Sequence, residues 1–203
     1  VRNIVNYFYS GQCSLKGQEV FSVLAASAFL CLDSLKRKCV MKLGEMFCMK
    51  VENCVRSFRY GHLYSLPKLA SRGLKVILSD FEQVLALPSA LDELSEEEMV
   101  EVVTDDKLVV TNEDVVFKAV VDWVKGDEEG RKEAFPRIAQ HIRFSFCTKK
   151  CLRETIRSEP LMQTADGERW IANGLKSPYD GAYFVNTDCV DLVKCSPRDA
   201  YLS

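Results

Sequence analysis

Between Thr111 and Gly126 the chain places Val115, Val116, Ala119, Val120, Trp123 and Val124 on one side of a 3.6-residue period, which gives a helix with a broad apolar face and an indole at its centre. A face that wide needs other helices to cover it, and a strand, with its period of two, cannot present it. Thr111-Asn-Glu-Asp114 supplies a helix start and Gly126 a stop. Trp123 is explained by this periodicity as a packing residue.

The same period recurs along the chain. Val1, Ile4, Val5 and Phe8 form a stripe over Val1 to Tyr9, closed by Ser10-Gly11. A helix from about Gln18 to Leu30 turns Val20, Val23, Leu24, Ser27, Leu30 and Cys31 inward. Another, starting at Asp33 or Ser34, repeats Leu35, Cys39, Leu43 and Phe47. Val51, Val55 and Phe58 predict the first member of an antiparallel pair, and Leu69, Gly73, Ile77 and Phe81 the second, with Pro67 in its opening turn. Gly61-His62-Leu63-Tyr64-Ser65 is the turn between them.

Ser95-Glu-Glu-Glu98 has the spacing of a capping box and predicts a helix from Glu96 that carries Met99, Val100 and Val103. Its run of acids lies in a first turn, where carboxylates favour the helix dipole. Asp127 to Gly130 reads as a loop. Helical periods return at Phe135, Ile138 and Ile142, and at Cys151, Leu152 and Ile156, before Glu159-Pro160 interrupts them. The fold class expected is all-α.

After Lys176 the character changes. Short strands are expected at Ala182–Val185 and Cys189–Val193, too little chain for a propeller of four-stranded blades.

Bulk properties narrow the function. In 203 residues, 47% hydrophobic and 28% charged, the formal charge is −2 with both signs interspersed. The chain as a whole lacks the basic field that draws nucleic acid or anionic membranes. The longest uncharged run, between Glu19 and Asp33, is 13 residues, short of the ~20 that cross a bilayer. Nine cysteines lie mostly on apolar faces and read as reduced thiols of the cytoplasm or nucleus. Cys147-x3-Cys151 has no second pair at zinc-binding spacing, so no metal is expected. Cys189 and Cys195 in the tail are candidates for oxidant sensing. His62 and His141 accompany no arrangement of nucleophile, base and oxyanion donor, and phosphate loops are absent; no catalysis and no cofactor are expected.

Phe8-Tyr9-Ser10-Gly11 is similar to the Tyr-Thr-Gly turn of BTB/POZ domains, and Ala26 to Cys39 resembles their last helices. Asn53-Cys-Val55, Tyr60-Gly61, Leu66-Pro-Lys-Leu69 and Ile77 with Phe81 resemble the start of a BACK domain, including the helix pair called the three-box. Asp106-Lys-Leu108, Glu113 with Val116-Phe117, Trp123-Val124, Ile142-Arg-Phe144 and Glu159-Pro-Leu-Met162 continue the likeness. It covers about residues 1 to 162. Val193-Lys-Cys-Ser-Pro197 with Tyr201 faintly resembles part of a first kelch blade, without the paired glycines. Gly61 and Gly73 stand where the family commonly has alanine, at a cost of roughly 1 kcal/mol each if helical.

The resemblance implies residues 1–50 as the C-terminal part of a BTB domain, 51–165 as a BACK domain with three-box, and 166–203 as a linker with a partial kelch blade. Kelch-like proteins of this architecture typically recruit substrates to a cullin-3 ubiquitin ligase, and the chain is expected to be a non-catalytic piece of such an adaptor. The expected partners are cullin-3, an unknown substrate protein and a second copy through upstream BTB elements, with neither nucleic acid nor membrane. The family's hydrophobic-x-glutamate motif and dimerising strand would lie upstream of Val1, which makes cullin-3 binding by this chain weak. The other reading is a cytoskeletal or structural scaffold acting by self-association.

Three residues are candidates for partner contact. Tyr9 matches the tyrosine of the family's turn near the cullin surface, while an aromatic on an amphipathic helix also serves as core. His62 and Tyr64, in the turn between paired helices, either line a partner groove or are simply solvated.

Overall fold

A computed structural model describes residues 2–13, 15, 19–45 and 50–181. Every regular element among them is helical, as the periodicity requires. The chain divides into two compact units, residues 1–73 and 74–203.

The first unit contains α1 (Arg2–Ser10), α2 (Glu19–Phe29), α3 (Asp33–Glu45), α4 (Val51–Leu63) and the beginning of α5 (Pro67–Ser79). Its core joins Val20, Phe21, Val23 and Leu24 of α2 to Leu35, Cys39 and Leu43 of α3 and to Leu69. The four-residue repeat of α3 is buried as expected over its described part; Phe47 lies outside the described residues. Two positions assigned inward on α2 do not face in. Leu30 is 43% exposed and Cys31 is exposed, because α2 ends at Phe29 and Cys31 takes a left-handed φ of 53° to start the turn. The buried Ser27 satisfies its hydroxyl by donating to the Leu24 carbonyl at 2.8 Å.

α4 and α5 are paired, but their turn is shorter than predicted. Gly61, His62 and Leu63 complete α4, and the chain reverses at Tyr64 and Ser65, the latter at φ 55°. Gly61 and Gly73 lie inside helices for a reason the propensity argument missed. A Cβ on Gly61 would sit 2.5 Å from Ala70 Cα, and one on Gly73 would sit 2.6 Å from the Cys54 carbonyl oxygen and the Phe58 nitrogen. The helices touch backbone to backbone, and only glycine fits there.

The second unit continues α5 and adds α6 (Phe81–Leu85), α7 (Glu96–Thr104), α8 (Glu113–Lys125), α9 (Glu128–Arg131), α10 (Phe135–Ala139), α11 (Lys149–Cys151) and α12 (Ala165–Lys176). Phe81 is buried, yet it opens α6 rather than extending α5, which ends at Ser79. α7 begins with the predicted capping box: Ser95 Oγ accepts from Glu98 N at 3.2 Å, and Ser95 N donates to Glu98 Oε2 at 2.9 Å. The segment read as a loop after Gly126 forms α9, because Asp127 caps it by accepting from Gly130 N at 3.3 Å.

The start of α8 differs from a conventional cap. Asn112, at the N-cap, makes no side-chain cap bond, and Thr111 donates its N–H and hydroxyl to Glu82 Oε1. The acids in the first turn are instead buried and hold later chain. Glu113, 1% exposed, accepts from Arg143 N at 3.4 Å; Asp114 accepts from Thr148 N at 2.9 Å and Thr148 Oγ1 at 2.7 Å. Thr148 in turn caps α11. α12, in the stretch read as linker, is held by stacking of Trp170 on Phe144 at 5.6 Å and by Lys149 Nζ, which donates to the Gly174 and Ser177 carbonyls at its C-terminal end. The strands expected beyond Gly181 and the kelch-like segment lie outside the described residues.

Arg137 of α10 grips Glu96 of α7 through two nitrogens, the second at 2.8 Å. This bond holds the Glu96 carboxyl below the usual carboxylate range. A depressed folded pKa stabilises the fold above the unfolded value and loses that contribution as pH falls. Glu96→Gln should therefore lower the melting temperature slightly at pH 7 and by less at about pH 2, well under the ordinary carboxylate range. Thermal melts of both proteins at the two pH values check this.

Candidate functional site

α1 is fixed by one side and open on the other. Tyr7 packs against the core of the first unit, and Lys38 of α3 places its ammonium 5.2 Å over the Tyr7 ring while donating to the Gly11 carbonyl at 3.1 Å. Gly11, at φ 66°, ends the helix with its N–H on the Tyr7 carbonyl at 2.9 Å. The opposite face carries Val5, 45% exposed, Phe8, 60% exposed, and Tyr9, 90% exposed. Tyr9 is thus no part of the core. The stripe expected over Val1, Ile4, Val5 and Phe8 is divided, with Ile4 half-buried and its neighbours Val5 and Phe8 turned out.

His62 and Tyr64 are positioned by different contacts. His62 is exposed in the last turn of α4 and presents its ring edge to Phe58 at 4.7 Å. Tyr64, at the C-cap, is half-buried in a chain of edge-to-face rings, 5.5 Å from Tyr60, which stands 5.3 Å from Phe21 of α2. Burial pushes its phenol pKa up. Tyr60 therefore joins α4 to α2, and Tyr64 packs beside it against the core of the first unit. Neither hydrogen bonds nor ring contacts link Tyr9 to His62 or Tyr64 among the described residues, so the three do not form one constellation.

Sequence reasoning missed the extent of the open surface. All seven exposed large hydrophobic side chains among the described residues belong to the first unit, with Phe29, Met41 and Leu63 adding to those of α1. It also missed a groove in the second unit. This cavity of about 660 Å³ lies between residues 85–92 and α8, lined by Leu85, Leu87, Pro88, Val115 and Trp123, with Lys118 and Asp122 among its polar walls.

Trp123 itself is 3% exposed. Its indole N–H donates to the Leu94 carbonyl at 3.1 Å, and the Arg131 guanidinium lies 4.4 Å from the ring centre. Arg131 also donates to the carbonyls of Trp123 at 2.8 Å and Asp92 at 2.6 Å, so it ties the groove's wall to α8.

The buried thiols among the described residues are poorly disposed to chemistry. Burial raises Cys39 and Cys151 to about 11 and drives Cys147 higher still, with Asp114 adding to the effect on Cys147. Cys31 is exposed. A thiol-reactive dye at pH 8 should label Cys31 rapidly, and Cys39, Cys147 and Cys151 only after denaturant is added; peptide mapping of the labelled chain checks the order. Cys189 and Cys195 lie outside the described residues.

Comparison with known proteins accounts for this arrangement. The BACK family, BTB And C-terminal Kelch, matches residues 54–157, from the first turn of α4 to the turn after Ile156. The chain is 27% identical over 160 residues to Kelch-like protein 40 of Xenopus laevis, covering 79% of this chain and 26% of that protein. It is 27% identical over 161 residues to Kelch-like protein 41 of Homo sapiens, with the same coverage of 79% and 26%. Against gigaxonin of Homo sapiens it is 31% identical over 163 residues, or 80% of this chain and 27% of the relative. The chain spans about a quarter of the length of these relatives. With its paired α4 and α5, capped α7, tryptophan-centred α8 and continuous match across them, the chain belongs to the kelch-like BTB/BACK family.

Proposed function

We propose that the chain is part of a non-catalytic substrate adaptor for a cullin-3 ubiquitin ligase, its BACK helices spacing the ligase from a substrate-binding module. The observation that carries this reading is the BACK match over residues 54–157. The outward Tyr9 supports it, since this residue matches the tyrosine of the family's turn near the cullin surface and has no role in the core.

Cullin-3 binding by the 203-residue chain is weak on this reading. Tyr9 and the α4–α5 pair are the parts of the family's cullin surface that the resemblance assigns to this chain, whereas a standard interface takes ~800 Å² per partner. Calorimetry against cullin-3 tests it: a chain extended upstream with a complete BTB domain should bind well and lose affinity on Tyr9→Ala. Absence of binding by the extended chain would refute the ligase reading. A structural scaffold is the second reading, favoured by the concentration of exposed apolar side chains in the first unit, which a second copy covers as well as a cullin does. Sedimentation at rising concentration separates the two.

A further inference from the structure

The end of α12 carries a charged latch. Residues 177–181 turn back onto residues 146–149 of the same unit: Tyr179 sets its ring 5.1 Å from Phe146, and Asp180 Oδ1 accepts from Lys149 N at 2.6 Å. Gly181 passes so near Thr148 that a Cβ on it would lie 2.3 Å from Thr148 Cγ2. Lys149 Nζ closes the latch at its other end, donating to the Ser177 carbonyl at 2.7 Å and the Gly174 carbonyl at 2.6 Å. Within the latch Ser177 precedes Pro178, and its φ of −59° and ψ of 141° are the extended backbone that a following proline favours. Lys176 and Pro178 are exposed, Ser177 is half-buried, and Ser177 Oγ accepts from Tyr179 N at 3.3 Å. A serine in extended chain with proline next to it is the substrate that proline-directed protein kinases take, and the latch keeps this serine outside the core.

We propose that Ser177 is a phosphorylation site and that its phosphate keeps the latch open. Residues 177–181 lift locally, because a few contacts at the end of one helix hold them and the core beneath stays packed. In the lifted chain the Ser177 hydroxyl oxygen attacks the γ-phosphorus of ATP on the kinase. The new O–P bond forms as the bond from the γ-phosphorus to the β,γ-bridging oxygen breaks, ADP leaves, and the hydroxyl proton passes to a base of the kinase. The phosphate adds a charge of about −1.5 to −2 at pH 7. Closure would return that charge to the C-terminal end of α12, where the helix dipole is negative, and to the neighbourhood of Asp180. Lys149 answers part of the charge, but its ammonium is the donor to the two carbonyls, and a charge-assisted bond to phosphate draws it off them. Each polar group that closes the latch is thus opposed or diverted, and the population shifts to the open state. The latch holds the chain where it leaves the BACK helices, so phosphorylation frees that exit; this goes beyond the adaptor reading and applies equally to a scaffold.

The test uses the whole chain with Ser196→Ala, which removes the other Ser-Pro pair, Ser196-Pro197. It is incubated with MgATP and, in separate reactions, a cyclin-dependent kinase and a mitogen-activated protein kinase, and peptide mass spectrometry locates the phosphate. Ser177 should be modified by at least one of them. Hydrogen–deuterium exchange then compares the modified and unmodified chains. The amides of Lys149 and Tyr179, which donate to Asp180 and Ser177 in the closed latch, should exchange at least about tenfold faster after phosphorylation, the scale of losing a charge-assisted bond. Peptides of α8 should exchange as before, which shows that the unit stays folded. The proposal is overturned if neither kinase modifies Ser177, if the phosphate goes only to other residues, or if the two amides exchange at the old rate or more slowly. It is overturned as well if α8 opens together with them, since the phosphate would then unfold the unit rather than open a latch.

Discussion

Trp123→Ala is expected to cost about 3–5 kcal/mol of folding free energy, the range for removing a large aromatic side chain from a packed site. The indole is 3% exposed, so nearly all its surface is lost from the interior. Two further contacts depend on it. The Leu94 carbonyl loses the N–H that it accepts at 3.1 Å, and Arg131 loses the ring 4.4 Å beneath its guanidinium, although it keeps its bonds to the Trp123 and Asp92 carbonyls. Because Trp123 also walls the groove of about 660 Å³, the neighbouring residues 85–92 have open space into which to move, and partial relaxation places the result toward the lower half of that range. Urea titration of both chains measures the difference from the shift in midpoint at constant slope. A loss below about 1 kcal/mol would show that the indole packs loosely in solution.

What could be read from the residues follows from the range of the forces involved. The helices were legible because burial of an apolar stripe is periodic and local: the ladders Leu35–Cys39–Leu43 and Val116–Val120–Trp123 need only their own spacing to be recognised, and the capping box at Ser95 is complete within four residues. The capping of α8 was not, because its first-turn acids are satisfied by Arg143 and Thr148 some thirty residues downstream. α12 shows the same limit, since its lasting contacts with Phe144 and Lys149 are tertiary.

The candidate surface was legible only in part. Tyr9 was identified through a resemblance, and its exposure was left open because the pattern of α1 suits either face; Tyr7, which decides the matter, is no more apolar in sequence than Tyr9. Tyr64 was read as lining a partner groove or as simply solvated, whereas it packs against the core of the first unit with the Tyr60 ring of α4 5.5 Å away.

Gly73→Ala should destabilise the chain by about 2 kcal/mol, against the direction that helix propensity alone requires. Alanine in a helix interior is worth about 1 kcal/mol over glycine, so an unobstructed site would gain by the change. The obstruction here is main chain: the new methyl would meet the Cys54 carbonyl oxygen and the Phe58 nitrogen at 2.6 Å, and no rotamer change can relieve that. Relief requires α4 and α5 to separate, which strips contact from Cys54 and Phe58, both fully buried. Gly61→Ala meets the backbone of Ala70 one turn toward the other end of the same pair and should behave alike. Because either methyl forces the same separation, the two losses should combine to less than their sum in the double variant, as neighbouring sites that share one backbone shift do. Urea titrations of the two single variants and the double variant give all three numbers. Stabilisation by either alanine would mean that the helices pass farther apart than the geometry gives, while full additivity would mean that each glycine accommodates a separate local contact.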